Sequence, residues 1–338
     1  MNRNKILVSL CVFILIMALT ACGQGNNTNT ATQQSSSPAP DNAQASATSE
    51  ATPSSNNSED TTVAGTRTVK DDLGHELQIP AHPKHVLAPY LEDPLTALGI
   101  KPVAQWANGD IVQEYLQNEL AGLPKVDFSA GGLVPEQAAA QQPDLIILIF
   151  KEWADKGMYE SYSKIAPTYV FENGMTDWRK TLRTLGDLLG QTDKAEQEIK
   201  AFDSKVADAK EKIKGAIGDQ EVALLWPSGK NLFLLSAQDY SGKLLYDELG
   251  IKEPALAHGQ SFQNISLEKL PEIGKGHIFL ITQYNDTESG QLMTSEVWKG
   301  LPAVKEGRVH EISWNHWMNN GLIANQLNLE DTLKALVK

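Results

Sequence analysis

The chain is predicted to be an α/β protein of two Rossmann-like lobes bridged by a single long α-helix. Three observations carry that expectation. Short apolar runs alternate with amphipathic stretches on both sides of the chain's middle, as strand–helix alternation requires. The middle is a long helical region, Asp177 to about Ala216, with Ala195, Ile199, Phe202, Val206 and Ile213 on one face and Lys and Glu elsewhere. The run Leu145-Ile146-Ile147-Leu148-Ile149 is apolar throughout, which suits a strand covered on both faces of a largely parallel sheet.

In order along the chain, residues 1–21 read as a secretory signal peptide: a basic start (Arg3, Lys5), then an apolar segment from Ile6 to Leu19. That segment is short of the about 20 apolar residues a spanning helix needs. It closes on Leu19-Thr20-Ala21-Cys22, which resembles a bacterial lipobox, with Cys22 as the acylated first residue of the mature chain. Residues 22–65 follow as a disordered, lipid-anchored linker of Asn, Thr, Ser, Gln, Ala and Pro, without an aromatic residue, Leu, Ile or Met through Ala64. Such a composition buries too little apolar surface to offset its ordering entropy. As a flexible coil, ~40 residues would reach on the order of 35 Å. A leash of that kind suits a capture protein beside a membrane partner and equally a surface enzyme.

The N-terminal lobe is expected over residues 66–176. Its strands are His85-Val86-Leu87-Ala88, Pro102-Val103-Ala104-Gln105, residues 145–149 and Thr168-Tyr169-Val170-Phe171. Helices are expected from Pro94 to Leu98, with an Asp93 cap and Pro at the first position, and from Ile111 to Leu120. The interlobe region, 177–216, contains a helix from Asp193 to Lys214, about 33 Å at 1.5 Å per residue. The C-terminal lobe, 217–338, has strands at Val222–Trp226, Leu232–Leu235, His277–Ile281 and Arg308–Ile312, with helices at Lys243–Leu249, Leu267–Ile273 and Gly321–Leu336. A rigid strut between two lobes leaves a cleft, the usual place for a small ligand.

Charge and motifs narrow the function. Removing Arg3 and Lys5 with the signal takes the formal net charge from −13 to −15, which argues against a nucleic-acid partner. Of the two cysteines, Cys11 leaves with the signal and Cys22 is the lipid site, so the mature chain has neither disulfide nor cysteine-based metal site. The Gly-Lys pairs at 229, 242 and 274 are followed by Asn, Leu and Gly, so no phosphate-binding loop is present. There is no dinucleotide fingerprint and no nucleophile elbow. The seven histidines are scattered, without an i, i+4 helical pair. Neither a resident cofactor nor a catalytic centre is expected.

With these elements laid out, the chain from Thr66 to Lys338 resembles the iron-siderophore substrate-binding lipoproteins of Gram-positive ABC importers. The landmarks are Glu92-Asp-Pro-Leu-Thr-Ala-Leu-Gly-Ile100, Pro143-Asp-Leu-Ile-Ile147, Lys164-Ile-Ala-Pro-Thr168 and Asp177-Trp-Arg179. Further ones are Leu244-Leu-Tyr-Asp-Glu-Leu-Gly250, Ser266-Leu-Glu-Lys-Leu270, and Trp314-Asn-His-Trp317 before Asn319-Asn-Gly321. Each is short and degenerate; their order and spacing are specific. The resemblance implies capture of a ferric siderophore, with iron held by the chelate rather than by protein ligands, and delivery to permease subunits of the cytoplasmic membrane. It also implies a monomer, lipid-anchored on the membrane's extracellular face. A haem or corrinoid carrier of the same fold, and an extracellular enzyme, remain the alternatives.

Loops leaving the carboxyl ends of strands should line the cleft. They place Tyr90, Trp106, Phe150 to Trp153, Trp226 and the Trp314–Asn320 loop there, the last with His316, Trp317 and Asn319. Trp226, beside a strand, has a core reading as well, and Trp153 and Trp298 are read as packing. Trp178-Arg179 opens the strut; Arg179 is either a solvated helix charge or, by the resemblance, a donor to the oxygens around ferric iron. The cations near the cleft reduce to Arg179, Lys151 and Lys230, few for a triscatecholate with several negative charges. Aromatic walls favour hydroxamate or citrate-hydroxamate chelates, and a cationic ferrioxamine would gain from Trp faces. The resemblance also implies docking on the permease through an exposed acid on each lobe. Glu92 matches in the N-lobe. Lys243 stands where C-lobe relatives often carry Glu, leaving Asp247 or Asp239 to substitute, or a one-sided pairing.

Overall fold

The computed structural model describes residues 65–283 and 287–337. The signal segment, Cys22 and the low-complexity stretch through Ala64 lie outside them. No helix among the described residues is long and apolar enough to cross a membrane.

The first strands, β1 (Thr66–Lys70) and β2 (Glu76–Pro80), form an antiparallel hairpin absent from the expected elements, its second strand alternating buried Leu77 and Ile79 with exposed Glu76 and Gln78. Three parallel strands then build the heart of the N-lobe. They are β3 (Val86–Leu87), β6 (Leu145–Leu148) and β7 (Thr168–Val170), in the order β3-β6-β7. The fully buried Leu-Ile-Ile-Leu run takes the central place, as expected for a strand with no polar face. A separate parallel pair joins β4 (Gln105–Ala107) to β5 (Lys125–Asp127). Strand β4 falls three residues beyond its predicted start and carries Trp106 at its centre. The predicted helix Ile111–Leu120 is reduced to a 3-10 turn at Glu114–Leu116 and one α turn at Gln117–Leu120.

The interlobe region is two helices. An entry helix, Trp178–Leu188, is capped by Asp177, whose carboxylate accepts from the amides of Arg179 and Lys180. The strut follows as 26 residues, Thr192–Ile217, or about 39 Å. Every residue of the predicted apolar face is buried along it, joined by Ala209 and Ile217.

The C-lobe sheet is mixed. Strands β8 (Val222–Ser228), β11 (His277–Thr282) and β12 (Val309–Ser313) are parallel neighbours, while β9 (Asn231–Leu235) and β10 (Gln263–Ile265) add an antiparallel edge in the order β10-β9-β8-β11-β12. The predicted helix at Lys243–Leu249 is a turn at Tyr240–Gly242 leading into a π-helical segment, Lys243–Glu248. Gly242 is required there: a Cβ would lie 2.0 Å from the Ser236 carbonyl oxygen. The chain closes with the helix Leu322–Leu336.

One hydrophobic cluster runs from Leu145 and Ile147 of the N-lobe through Ile199 and Phe202 of the strut to Leu224 and Phe279 of the C-lobe. A wide hinge motion would expose that shared core at roughly 25 cal/mol per Å2 of apolar surface. The lobes are also joined by polar contacts. Asp93, predicted to cap its own helix, instead reaches the closing helix, accepting from Ile323 N at 3.0 Å and Ala324 N at 2.8 Å. It thereby satisfies two of the amides a helix start leaves open. Tyr115 donates to the same carboxylate at 3.0 Å, and Gln113 donates to Asn319 at 3.2 Å.

Candidate ligand-binding cleft

Two aromatic walls stand beside the seam between the lobes. In the N-lobe, Tyr90 follows β3 and meets Trp106 edge-on, with ring centroids 5.0 Å apart. The row continues through Phe128, 6.4 Å from Trp106, to Trp153, 4.6 Å further, and Phe150, 5.3 Å from Trp153. Phe150 to Trp153 leave the end of β6, so this wall rises from strand ends and loops as expected. Trp153, read as packing, is half-buried in that row rather than sealed in a core. Trp298 is packing, 3% exposed in the C-lobe's own core.

The C-lobe wall has a different origin. Register pairs Trp226 of β8 with Phe233 of β9, and their rings stack at 5.4 Å. Phe262, just before β10, stands 6.1 Å from Trp226 and 6.3 Å from Phe233, and Tyr240 lies 5.5 Å from Phe262. Trp226 follows the last β8 residue paired in parallel with β11, and the antiparallel edge of β9 and β10 carries the wall onward from it. Phe233 was legible in principle: Ser228-Gly229-Lys230-Asn231 is a two-residue hairpin signal that would have set it opposite Trp226. Nothing local marks Tyr240, Phe262 or Phe128.

Between the walls lies a cavity of about 250 Å3, lined by Phe150, Asn173, Met175 and Thr176 from one lobe and by Tyr240, Phe262, Asp239 and Lys243 from the other. Gln238, Ser261 and Asn320 complete its lining. A second depression of about 440 Å3 shares Asn173 and Thr176 with it and runs out past Lys151, Glu172 and Lys180. Together they offer a groove with apolar walls and amide and hydroxyl donors along its floor.

Two wall residues carry backbone strain. Tyr90 has φ 67° and Phe262 has φ 44°, the left-handed region that bulky residues occupy only when their surroundings hold them there. Such residues concentrate at binding sites. Burial, with Tyr240 and Glu92 nearby, holds the Tyr90 phenol well above its ordinary range, so it stays a neutral hydrogen-bonding group.

The cations around the groove are already matched. Lys151 pairs with Glu172 at 3.2 Å, Lys180 with Asp72 at 3.2 Å, and Lys243 with Asp247 at 3.3 Å. Lys230 sits in the β8–β9 turn, away from the cavity lining. Arg179 turns from the cleft: its guanidinium lies 4.3 Å over the Trp178 ring and donates twice to Glu248, both at 2.8 Å, and to Asp203 at 2.6 and 3.0 Å. It braces the entry helix against the strut and the C-lobe, which corrects both sequence readings of it.

Other predicted residues are also corrected. Trp178 and Trp317 are 4% and 1% exposed and belong to the shared core. Trp178 packs edge-on to Phe202, and Trp317 to Phe279. His316 and Trp317 both bond Asp331 of the closing helix, at 2.8 and 3.0 Å. Although burial opposes it, those bonds hold Asp331 below the usual carboxylate range. Trp314 is half-buried, and Asn319 is buried at the lobe seam against Gln113. Tyr90, Trp106 and Trp226 are thus the predicted residues that the fold brings to the walls.

Glu92, expected to be exposed, is 1% exposed. One carboxyl oxygen accepts from Trp106 N at 2.6 Å, and the other has no partner among the described residues. Burial pushes its pKa up to about 7 against those backbone bonds, and burial likewise pushes Asp93 to about 6. Asp239 is 2% exposed, so neither acid is a surface contact. Asp247 is half-exposed beside Lys243.

Two α/β lobes joined by a helical strut and facing each other across an aromatic cleft have the architecture of a substrate-binding protein. The chain belongs to the periplasmic binding protein family, whose pattern matches residues 94–313. It is 32% identical to the iron(3+)-hydroxamate-binding protein FhuD of Bacillus subtilis, over 74% of this chain and 79% of that one. It is 30% identical to the probable siderophore-binding lipoprotein YfiY of the same organism, over 79% and 86%. A crystal structure of a FhuD fold-family component of a ferrichrome ABC transporter from B. subtilis superposes with a TM-score of 0.69 at 29% identity, covering 80% of this chain and all of that one. Staphylococcus aureus SirA, solved with staphyloferrin B, shares the fold at a TM-score of 0.67 and 23% identity, covering 80% and 98%.

Proposed function

We propose that this protein captures a ferric siderophore of the hydroxamate type and delivers it to an ABC importer for iron uptake. The observation that carries the ligand class is the pairing of two aromatic walls with cations already neutralised by carboxylates. A triscatecholate would bring several negative charges into a groove with no uncommitted guanidinium on its lining. A neutral or cationic hydroxamate loses little by desolvation there and gains dispersion and cation–π contact with the Trp and Tyr faces. The iron(3+)-hydroxamate-binding protein at 32% identity and the siderophore-binding lipoprotein at 30%, matched over 74% and 79% of this chain, support the same reading.

The lipobox at Cys22 supports lipid anchoring on the extracellular face of the cytoplasmic membrane, and membership of the binding-protein family supports a monomer handing its ligand to permease subunits. Asp247, half-exposed on the C-lobe, is retained as a docking acid in this proposal; Glu92 is not. Cys22→Ala should release a folded, soluble protein with unchanged ligand affinity, checked by membrane fractionation. The ligand is tested by Trp fluorescence, since Trp106, Trp153 and Trp226 all stand in the walls. Titration with ferric hydroxamates, ferric catecholates, ferric citrate, haem and cobalamin should show tightest binding for a hydroxamate. Tight catecholate binding with weak hydroxamate binding would sink the charge argument.

A further inference from the structure

Asp239 takes no part in the proposed function beyond lining the cavity, yet its bonding is unusual for a cleft carboxylate. One oxygen accepts from Ser236 N at 2.8 Å, Ser236 Oγ at 3.2 Å and Phe262 N at 3.1 Å. The other accepts from the Ser261 hydroxyl. Four donors from two loops therefore converge on one buried acid, and none of them is a lysine or arginine. With four donors meeting on its two oxygens, this side chain is a firm tie between the loop after β9 and the loop before β10.

What the tie holds is Phe262. Its ring touches Trp226, Phe233 and Tyr240, so the C-lobe wall is arranged around it. Its backbone stands at φ 44°, a conformation that a residue with a Cβ leaves unless restrained. The bond from its own amide to Asp239 is that restraint, and the neighbouring Ser261 bond doubles it. Rotation of Phe262 to an ordinary negative φ would swing the ring out of the wall.

We infer that Asp239 is a positioning residue for ligand capture, holding Phe262 in its strained conformation so that the C-lobe wall is formed before the ligand arrives. The inference rests on the capture function proposed above. A preformed wall spares the complex the entropy of ordering a loop on binding, which appears directly in affinity.

The experiment is a double-mutant cycle in the full-length protein, with ferrioxamine B as probe and amide hydrogen exchange of the ligand-free chain as a second readout. Asp239→Ala should weaken binding about tenfold, and so should Phe262→Ala. The double variant should be no weaker than about tenfold, because the acid acts through the ring. Asp239→Asn should stay within about threefold, since its amide oxygen still accepts from Ser236 and Phe262 while its NH2 turns to the Ser261 oxygen. Exchange of the Phe262 amide should rise in Asp239→Ala and stay slow in Asp239→Asn. About hundredfold weakening in the double variant, or unchanged Phe262 exchange in Asp239→Ala, overturns the inference. If Asp239→Ala does not fold, Ser261→Ala takes its place in the same cycle and the same exchange measurement. A wild-type chain that binds no ferric siderophore would defeat the capture reading, while Phe262 exchange would still decide the role of Asp239.

Discussion

The two walls of the cleft use the same materials and differ in how they are backed. Each is a group of half-buried aromatic rings with one residue at positive φ and one buried carboxylate bonded to its backbone. On the C-lobe side, both Asp239 oxygens are occupied, and the rings lie across one antiparallel edge. On the N-lobe side, Glu92 ties down Trp106 with one oxygen and leaves the other buried without a partner among the described residues. The rings there come from separate strand ends and loops. A satisfied acid makes a rigid wall; a half-satisfied one makes a wall whose support depends on its protonation. The C-lobe wall should behave as a fixed surface and the N-lobe wall as the adjustable one.

The largest effect expected from this comparison is in Glu92→Arg. Placing a guanidinium in a site 1% exposed, where the carboxyl had only backbone donors, leaves a buried charge without an acceptor. A loss of about 3–5 kcal/mol is expected, read as a thermal melt displaced far below wild type. A melt close to wild type would put Glu92 at the surface and revive it as a docking acid.

Next comes the contrast between core and wall tryptophans. Trp317→Ala should destabilise the fold by about 3–5 kcal/mol, measured by urea unfolding. Trp106→Ala and Trp226→Ala should leave stability nearly intact and weaken ferrioxamine B binding by roughly tenfold each, as truncation of an aromatic anchor does. Normal stability of Trp317→Ala together with lost binding would move that residue from core to cleft.

The last test is the pH dependence of the N-lobe acid. The folded-state pKa of Glu92, about 7, lies above its ordinary value of 4.5. The folded chain thus holds the proton more tightly than the unfolded one. The associated stability is fully present below about pH 4.5 and falls away as pH rises through 7. Asp93, at about 6, contributes a fall in the same direction over a lower window. Glu92→Gln, which keeps the acceptor for Trp106 N, should make the fall of stability between pH 4.5 and 7 shallower and leave the part due to Asp93, checked by denaturation across that range. An unchanged curve would show that Glu92 titrates normally in the folded chain.

Much of the fold was legible because its signals are local. The strut's apolar face recurs at 3.6 residues, and the Leu-Ile-Ile-Leu run of β6 has no polar side to turn to water. Where the local signal is weak, pattern and fold part. Ile111 looked like the start of an apolar helical face, but it is 48% exposed and the helical turns begin only at Glu114. Asp93-Pro94 has the grammar of a local helix cap, yet the carboxylate serves the amides of Ile323 and Ala324, some 230 positions along the chain. Arg179 illustrates the same limit. Its sequence context cannot tell a ligand-facing guanidinium from one consumed by Asp203 and Glu248, which arrive from the strut and the far lobe.

The sequence by itself determined the class of molecule: two α/β lobes, a rigid helical strut, an acidic body without catalytic motifs, and a family resemblance carried by ordered short landmarks. Only the tertiary structure decided which aromatic residues face the ligand and which acids are buried beneath them. Periodicity reports which side of an element avoids water, and core and cleft both avoid it. Trp317 and Trp226 are therefore alike in sequence and become different only when Phe279 closes over one, while the other stays half-buried against Phe233 and Phe262.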